Sequence, residues 1–79
     1  MLVSGNQLKA ARALAGLSQI ELAGASGVAV TTISAMERKG VADLTSSVET
    51  VRNIMRALVA NGVECIDGGR PGVRIMEKP

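Results

Sequence analysis

Ser4 with Gln7, Ser18 with Glu21, and Ser46 with Glu49 each set a serine three residues ahead of a glutamine or glutamate, with an apolar periodic run after it. Each has the form of a capping box. The serine hydroxyl accepts from a free N–H of the first helical turn, and the longer side chain reaches back to the cap. Each therefore predicts a helix start, and stop signals follow closely. Leu8, Ala11 and Ala15 continue the first helix until Gly16. The second covers residues 19–25 and breaks at Ser26 and Gly27, with Leu17 and Leu22 at the two positions of a hydrophobic staple. The third start opens the longest helix, whose stripe of Val48, Val51, Met55, Leu58 and Val59 ends at Asn61 and Gly62.

Between the second and third boxes, Val30, Ile33 and Met36 recur at threes and Ala29, Ile33 and Glu37 at fours, which predicts another helix over residues 30–38, closed by Lys39 and Gly40. Ala29 stands at its cap without a side chain able to accept an N–H, a loss of about 1 kcal/mol. Thr31 is the alternative cap, with a later helix start. Residues 39–45 form a linker. After Gly62 the period changes to alternation: Val63 and Cys65 share one face, as do Val73 and Ile75 beyond a glycine-rich turn over residues 67–72. That is a β-hairpin pattern, with its loop tip at GGRPG, residues 68–72.

The expected architecture is mainly α, four helices with a C-terminal β-hairpin. Residues 1–62 form the helical domain, and residues 63–79 the hairpin and tail, a candidate dimerisation element. At 79 residues, with no Phe, Trp or Tyr, the core must be built from aliphatic side chains and Met, each large one contributing about 1.5–3 kcal/mol. A core this small favours help from a partner subunit. The hairpin either pairs with a second chain or covers the helical core of its own.

With no His, one Cys and scattered carboxylates, the chain offers no triad, metal cluster or phosphate-cradling loop. No enzyme, cofactor or metal is expected. Cys65 reads as a small buried hydrophobe. The apolar start at residues 1–3 is too short for a signal-peptide core, and no apolar run reaches membrane-spanning length. A cytoplasmic location with no membrane partner follows. The net charge of +2 permits nucleic-acid contact without demanding it.

Two short helices joined by a Gly-containing turn, with small Ala23 where they cross, follow the plan of a helix-turn-helix unit. The stretch ARALAGLSQIELAGASGVAVTTISAMERKG resembles the lambda-repressor-like helix-turn-helix family, Xre type, over roughly residues 4–60. Arg12, Gln19, Leu22, Ala23, Gly27, Ile33 and Glu37 carry the likeness.

The resemblance implies an Arg12–Glu37 ion pair tying helix one to helix three. It implies also that Gln19 sits against a DNA phosphate, with capping or plain surface exposure as the alternative. Val30, Thr31, Ser34 and Ala35 then fall where relatives line the major groove. Arg or Asn side chains would supply bidentate base contacts worth about 1–3 kcal/mol of discrimination each, and none is present on the leading turns. Apolar contacts to thymine methyls and hydroxyl bonds from Thr31, Thr32 and Ser34 remain. Arg38 and Lys39 are the expected phosphate contacts. Arg52, Arg56 and Arg74 read as solvated, with Glu49 able to pair with Arg52 and Glu64 to oppose Arg74.

The expected function is a transcriptional repressor that binds double-stranded DNA as a homodimer, helix three in the major groove. The competing reading is a protein-interaction module, such as an antitoxin-like or accessory partner, with weak or no sequence-specific DNA binding.

Overall fold

A computed structural model describes residues 1–42, 44–67 and 70–76 of the chain. Four helices, α1 (Gly5–Leu14), α2 (Gln19–Ser26), α3 (Val30–Arg38) and α4 (Val48–Ala60), precede strands β1 (Val63–Ile66) and β2 (Gly72–Ile75). The architecture is the expected one. Of the predicted loop tip over residues 68–72, Gly68 and Gly69 lie outside the described residues, as do residues 77–79 of the predicted tail, and Gly72 is already the first residue of β2.

The three serine boxes meet three different fates. At α2 the box is complete: Ser18 Oγ accepts from the Glu21 N–H at 3.0 Å, and Glu21 Oε1 accepts from the Ser18 N–H at 2.9 Å. Gly27 closes the helix at φ 74°, a left-handed conformation that costs a glycine little. At α1 only half forms. Ser4 Oγ accepts from the Gln7 N–H, but the Gln7 side chain accepts from Val3 N–H at 2.7 Å and donates towards the carbonyls of Met1, Ile66 and Gly72 at 2.9–3.0 Å. Buried Gln7 thus binds the N-terminal segment and both strands of the hairpin.

At α4 the cap moves one residue along. Ser47, not Ser46, accepts from the Thr50 N–H, so Glu49 has no box to complete. The expected stripe shifts accordingly. Val51, Ile54, Ala57 and Leu58 face inward, while Val48 and Val59 are exposed and Met55 is half-buried. A spacing of three and then four residues from Val51 through Ile54 to Leu58 keeps one helical face, with Ala57 at its edge, and Val59 falls beyond the opposite edge.

One aliphatic core joins Leu8 and Ala11 of α1, Leu22 of α2, Ile33 and Met36 of α3, the inward face of α4, Val63 of β1, and Leu2. Cys65 and Val73 pack against it from the strands. The hairpin therefore covers the helical core of its own chain, antiparallel, with Val63 opposite Ile75 and Cys65 opposite Val73. Its other face carries the expected Glu64–Arg74 ion pair. Where α1 begins, it meets the end of α3 backbone to backbone: the Asn6 N–H donates to the Gly40 carbonyl at 2.8 Å. A Cβ on Gly5 would stand 2.3 Å from the Met36 carbonyl oxygen. Only glycine allows that approach.

Candidate nucleic-acid interface

The α2–turn–α3 unit fixes one helix face in the core and leaves the other outside. Leu22 is buried in the same core as Ile33 and Met36, and the turn is held by the Gly27 N–H donating to the Ala23 carbonyl and the Val28 N–H donating to Ser26 Oγ. Since α3 advances 100° per residue, burial of Ile33, Met36 and Glu37 turns Val30, Thr31 and Ala35 to solvent. Thr32 and Ser34 lie at the margins, half-buried. The helix begins at Val30 with no side-chain cap from Ala29, so Thr31 lies inside the first turn and is not its cap.

Arg12 and Glu37 meet in a two-point ion pair. Arg12 Nε donates to Glu37 Oε2 at 2.7 Å and Nη2 to Oε1 at 3.0 Å, while Nη1 donates to the Leu17 carbonyl. The Glu37 side chain is 5% exposed and that of Arg12 18%. Hydrogen bonding to Glu37 raises the guanidinium pKa above its already high ordinary value, against the opposing effect of burial. The pair locks α1, the α1–α2 turn and α3 together.

Gln19 adds a third donor: its Nε2 approaches Glu37 Oε1 at 3.2 Å. The amide that sequence placed against a phosphate is thus turned toward the ion pair, at the rim of a cleft of about 320 Å³ lined by Lys9, Arg12, Gln19, Ser34, Glu37 and Arg38. Arg38 and Lys39 are both exposed. Arg38 donates to Ser34 Oγ at 3.2 Å, occupying a hydroxyl that sequence assigned to base contact, and Lys39 donates to Thr45 Oγ1 at 3.0 Å. The structure therefore brings Gln19, Ser34 and Arg38 together on one side of α3. On the other side, Thr31, Thr32, Ala35 and Lys39 share a cleft of about 310 Å³ with Thr45 and Ser46.

Three residues beside α3 escape a reading of the sequence. Lys9 belongs to α1 and looks like one more solvated cation. Thr45 and Ser46 look like linker and cap; the displacement of the α4 cap to Ser47 is what frees Ser46 for the cleft. Elsewhere the basic side chains behave as surface groups. Arg74 pairs with Glu64, and Arg56 reaches only Asn53 at 3.4 Å. Exposed Arg52 forms no ion pair with Glu49. Half-buried Cys65 has its thiol pKa raised chiefly by desolvation.

No described helix is long and apolar enough to cross a membrane. Among curated proteins, none matches the chain. Residues 8–58, well over half the chain, match the helix-turn-helix family. That span runs from Leu8 at the heart of α1 to Leu58 in α4, and it contains the complete α2–turn–α3 unit with the Arg12–Glu37 brace. The chain belongs to the Xre-like helix-turn-helix family, whose members are DNA-binding and not enzymes.

Proposed function

We propose that this DNA-binding regulator acts as a repressor, binding as a homodimer with α3 in the major groove of each half-site. The observation that carries this reading is the division of α3. Its inner face is pinned by Ile33, Met36 and Glu37, while Val30, Thr31 and Ala35 project as a short-armed surface with Arg38 and Lys39 at its trailing end. Small side chains let the helix approach base edges closely, and their readout is confined to thymine methyls and the Thr31 and Thr32 hydroxyls. Ser34, bonded to Arg38, serves to aim that cation at the backbone. Arg38 and Lys39 supply the phosphate-facing groups, with Gln19 joining them by exchanging its bond to Glu37 for one to a phosphate, and sequence-dependent DNA shape supplies selectivity that these side chains lack.

Dimerisation through the outer edge of β2 is the second part of the proposal. The inner hairpin face is used within the chain, and Ile75 at the end of β2 is 67% exposed. An edge strand with an exposed aliphatic residue suits pairing across a two-fold axis.

A salt-dependent fluorescence-anisotropy titration on mixed genomic duplex fragments tests the DNA reading, and light scattering tests the dimer. Binding that weakens steeply with salt is expected. A chain that binds no duplex at low salt overturns the repressor reading and favours a protein-interaction module. One observation supports that alternative: Ile20 at the start of α2 is 74% exposed, and Val30 at the start of α3 is exposed as well.

A further inference from the structure

We infer that two copies of this chain join along β2 in a single register, Arg74 opposite Arg74, and that the apolar groove beside β2 is the seat for Ile75 of the second copy. The inference rests on the edge-pairing reading above and adds to it a register and the occupant of a cavity. Strand parity fixes which groups are free. The Met76 N–H donates to the Gly62 carbonyl, so Arg74 turns its main-chain groups toward β1, and Val73 and Ile75 turn theirs away from it. Among the described residues, no backbone bond from another segment reaches those outward groups. The opposite edge of the hairpin is engaged within the chain, since the Met1 amino group donates to the Cys65 carbonyl. A two-fold axis through Arg74 sets Val73 of each copy against Ile75 of the other, and each such pair exchanges both N–H···O=C bonds. An axis through Val73 would instead set Ile75 against Pro71, which has no N–H to give.

The side chains favour the same register. Val73 packs against the core, and Ile75, two residues on, shares its face yet is 67% exposed. Beside Val73 lies a groove of about 360 Å³ between α1 and β2, whose apolar lining comes from Ala10, Val41, Pro71 and Val73. Val41, from the segment after α3, is 86% exposed. In the Arg74-centred register, Ile75 of the second copy stands next to Val73 on this face and enters the groove. Symmetry then covers two exposed isoleucines and two open grooves at once. On the outer face the two Arg74 side chains meet, each already paired with its own Glu64, which offsets the like-charge repulsion at the axis.

The test uses the full chain. Arg74→Cys is made in a Cys65→Ala background and oxidised, because facing residues of a non-hydrogen-bonded pair lie about 4.5 Å apart between Cα atoms, within disulfide reach. A covalent dimer on non-reducing electrophoresis is expected, and none from Arg56→Cys in the same background, an exposed position on α4. Val41→Asp, outside the strand, should keep the wild-type melting temperature while raising the dimer dissociation constant at least about tenfold in analytical ultracentrifugation. Ile75→Ala should do the same, since each dimer loses two buried isoleucine side chains. An absent Arg74→Cys crosslink, or wild-type dimerisation in Val41→Asp or Ile75→Ala, overturns the register and the groove while leaving the edge dimer standing. A wild-type chain that stays monomeric at every concentration overturns the dimer reading and this inference together.

Discussion

The inner and outer faces of α3 belong to the same nine residues and obey different physics. Inside, Ile33 and Met36 are sealed in the core and Glu37 holds three donors from α1 and α2. Nothing there can change without disturbing the joint between helices. Outside, Val30, Thr31 and Ala35 touch solvent, and the helix starts with no side-chain cap. The difference teaches that the inner face identifies the architecture and the outer face decides what is bound. Architecture follows from the interior of α3, whereas its target depends on side chains that no packing constrains.

The comparison is broken most directly at Glu37. Glu37→Ala leaves the Arg12 guanidinium without its carboxylate, which costs about 3–5 kcal/mol, toward the lower figure because Arg12 keeps some contact with solvent. Thermal unfolding followed by circular dichroism should show a fall of more than about 10 °C, at roughly 4–8 °C per kcal/mol for a domain this size. An unchanged melting temperature would show that the brace does not hold the helices.

Gly5→Ala probes the same joint through the backbone. Its Cβ meets the Met36 carbonyl at 2.3 Å, so α1 must shift relative to α3. A loss of about 1–3 kcal/mol is expected, the usual range for overpacking. Equal chemical-denaturation midpoints for mutant and wild type would count against so close an approach. On the outer face, Ala29→Ser should stabilise the chain by about 1 kcal/mol by supplying the missing cap.

Arg38→Ala and Lys39→Ala sharpen the contrast, because stability should stay within about 0.5 kcal/mol while the salt slope of DNA binding falls by about one unit for each. Indifference of DNA binding to both would assign them to the solvated surface. The smallest effect concerns pH. Hydrogen bonds from the Ser18 backbone and side chain hold the Glu21 carboxyl below its usual range. Its capping contribution is therefore fully present above the ordinary glutamate pKa of about 4.3 and is lost as pH falls through the lower, folded-state value. An NMR titration of the Glu21 carboxyl should show the depressed midpoint, and Ser18→Ala, which removes the hydroxyl but keeps the backbone N–H donor, should raise it only part of the way to the ordinary range.

Much of the fold was legible because caps, stops and periodicity are local. The box at Ser18 and Glu21, the left-handed Gly27 and the bounds of α3 depend on neighbours within a turn, and the alternation at Val63 and Cys65 requires only a strand. Local signals misled where two candidates stood side by side. Only Ser46 has a glutamate three residues on, yet its neighbour Ser47 is the cap, in the register that turns Val51, Ile54 and Leu58 inward. For the candidate interface, the family pattern in the sequence pointed to Arg12, Gln19 and Glu37. That Ser34 is engaged by Arg38 followed only from side-chain directions.

By itself, then, the sequence determined the helical segmentation, the aliphatic core, the hairpin and the family to which they belong, because each is written in spacing along the chain. The tertiary structure decided what distant segments do to one another. It turned Gln7 from a helix cap into a junction between α1 and the hairpin, and made Gly5 indispensable through the approach of α3. It also brought Lys9 to the cleft beside Gln19 and Arg38. Those outcomes depend on which surfaces come within a few ångströms after the core closes, and no local pattern encodes that distance.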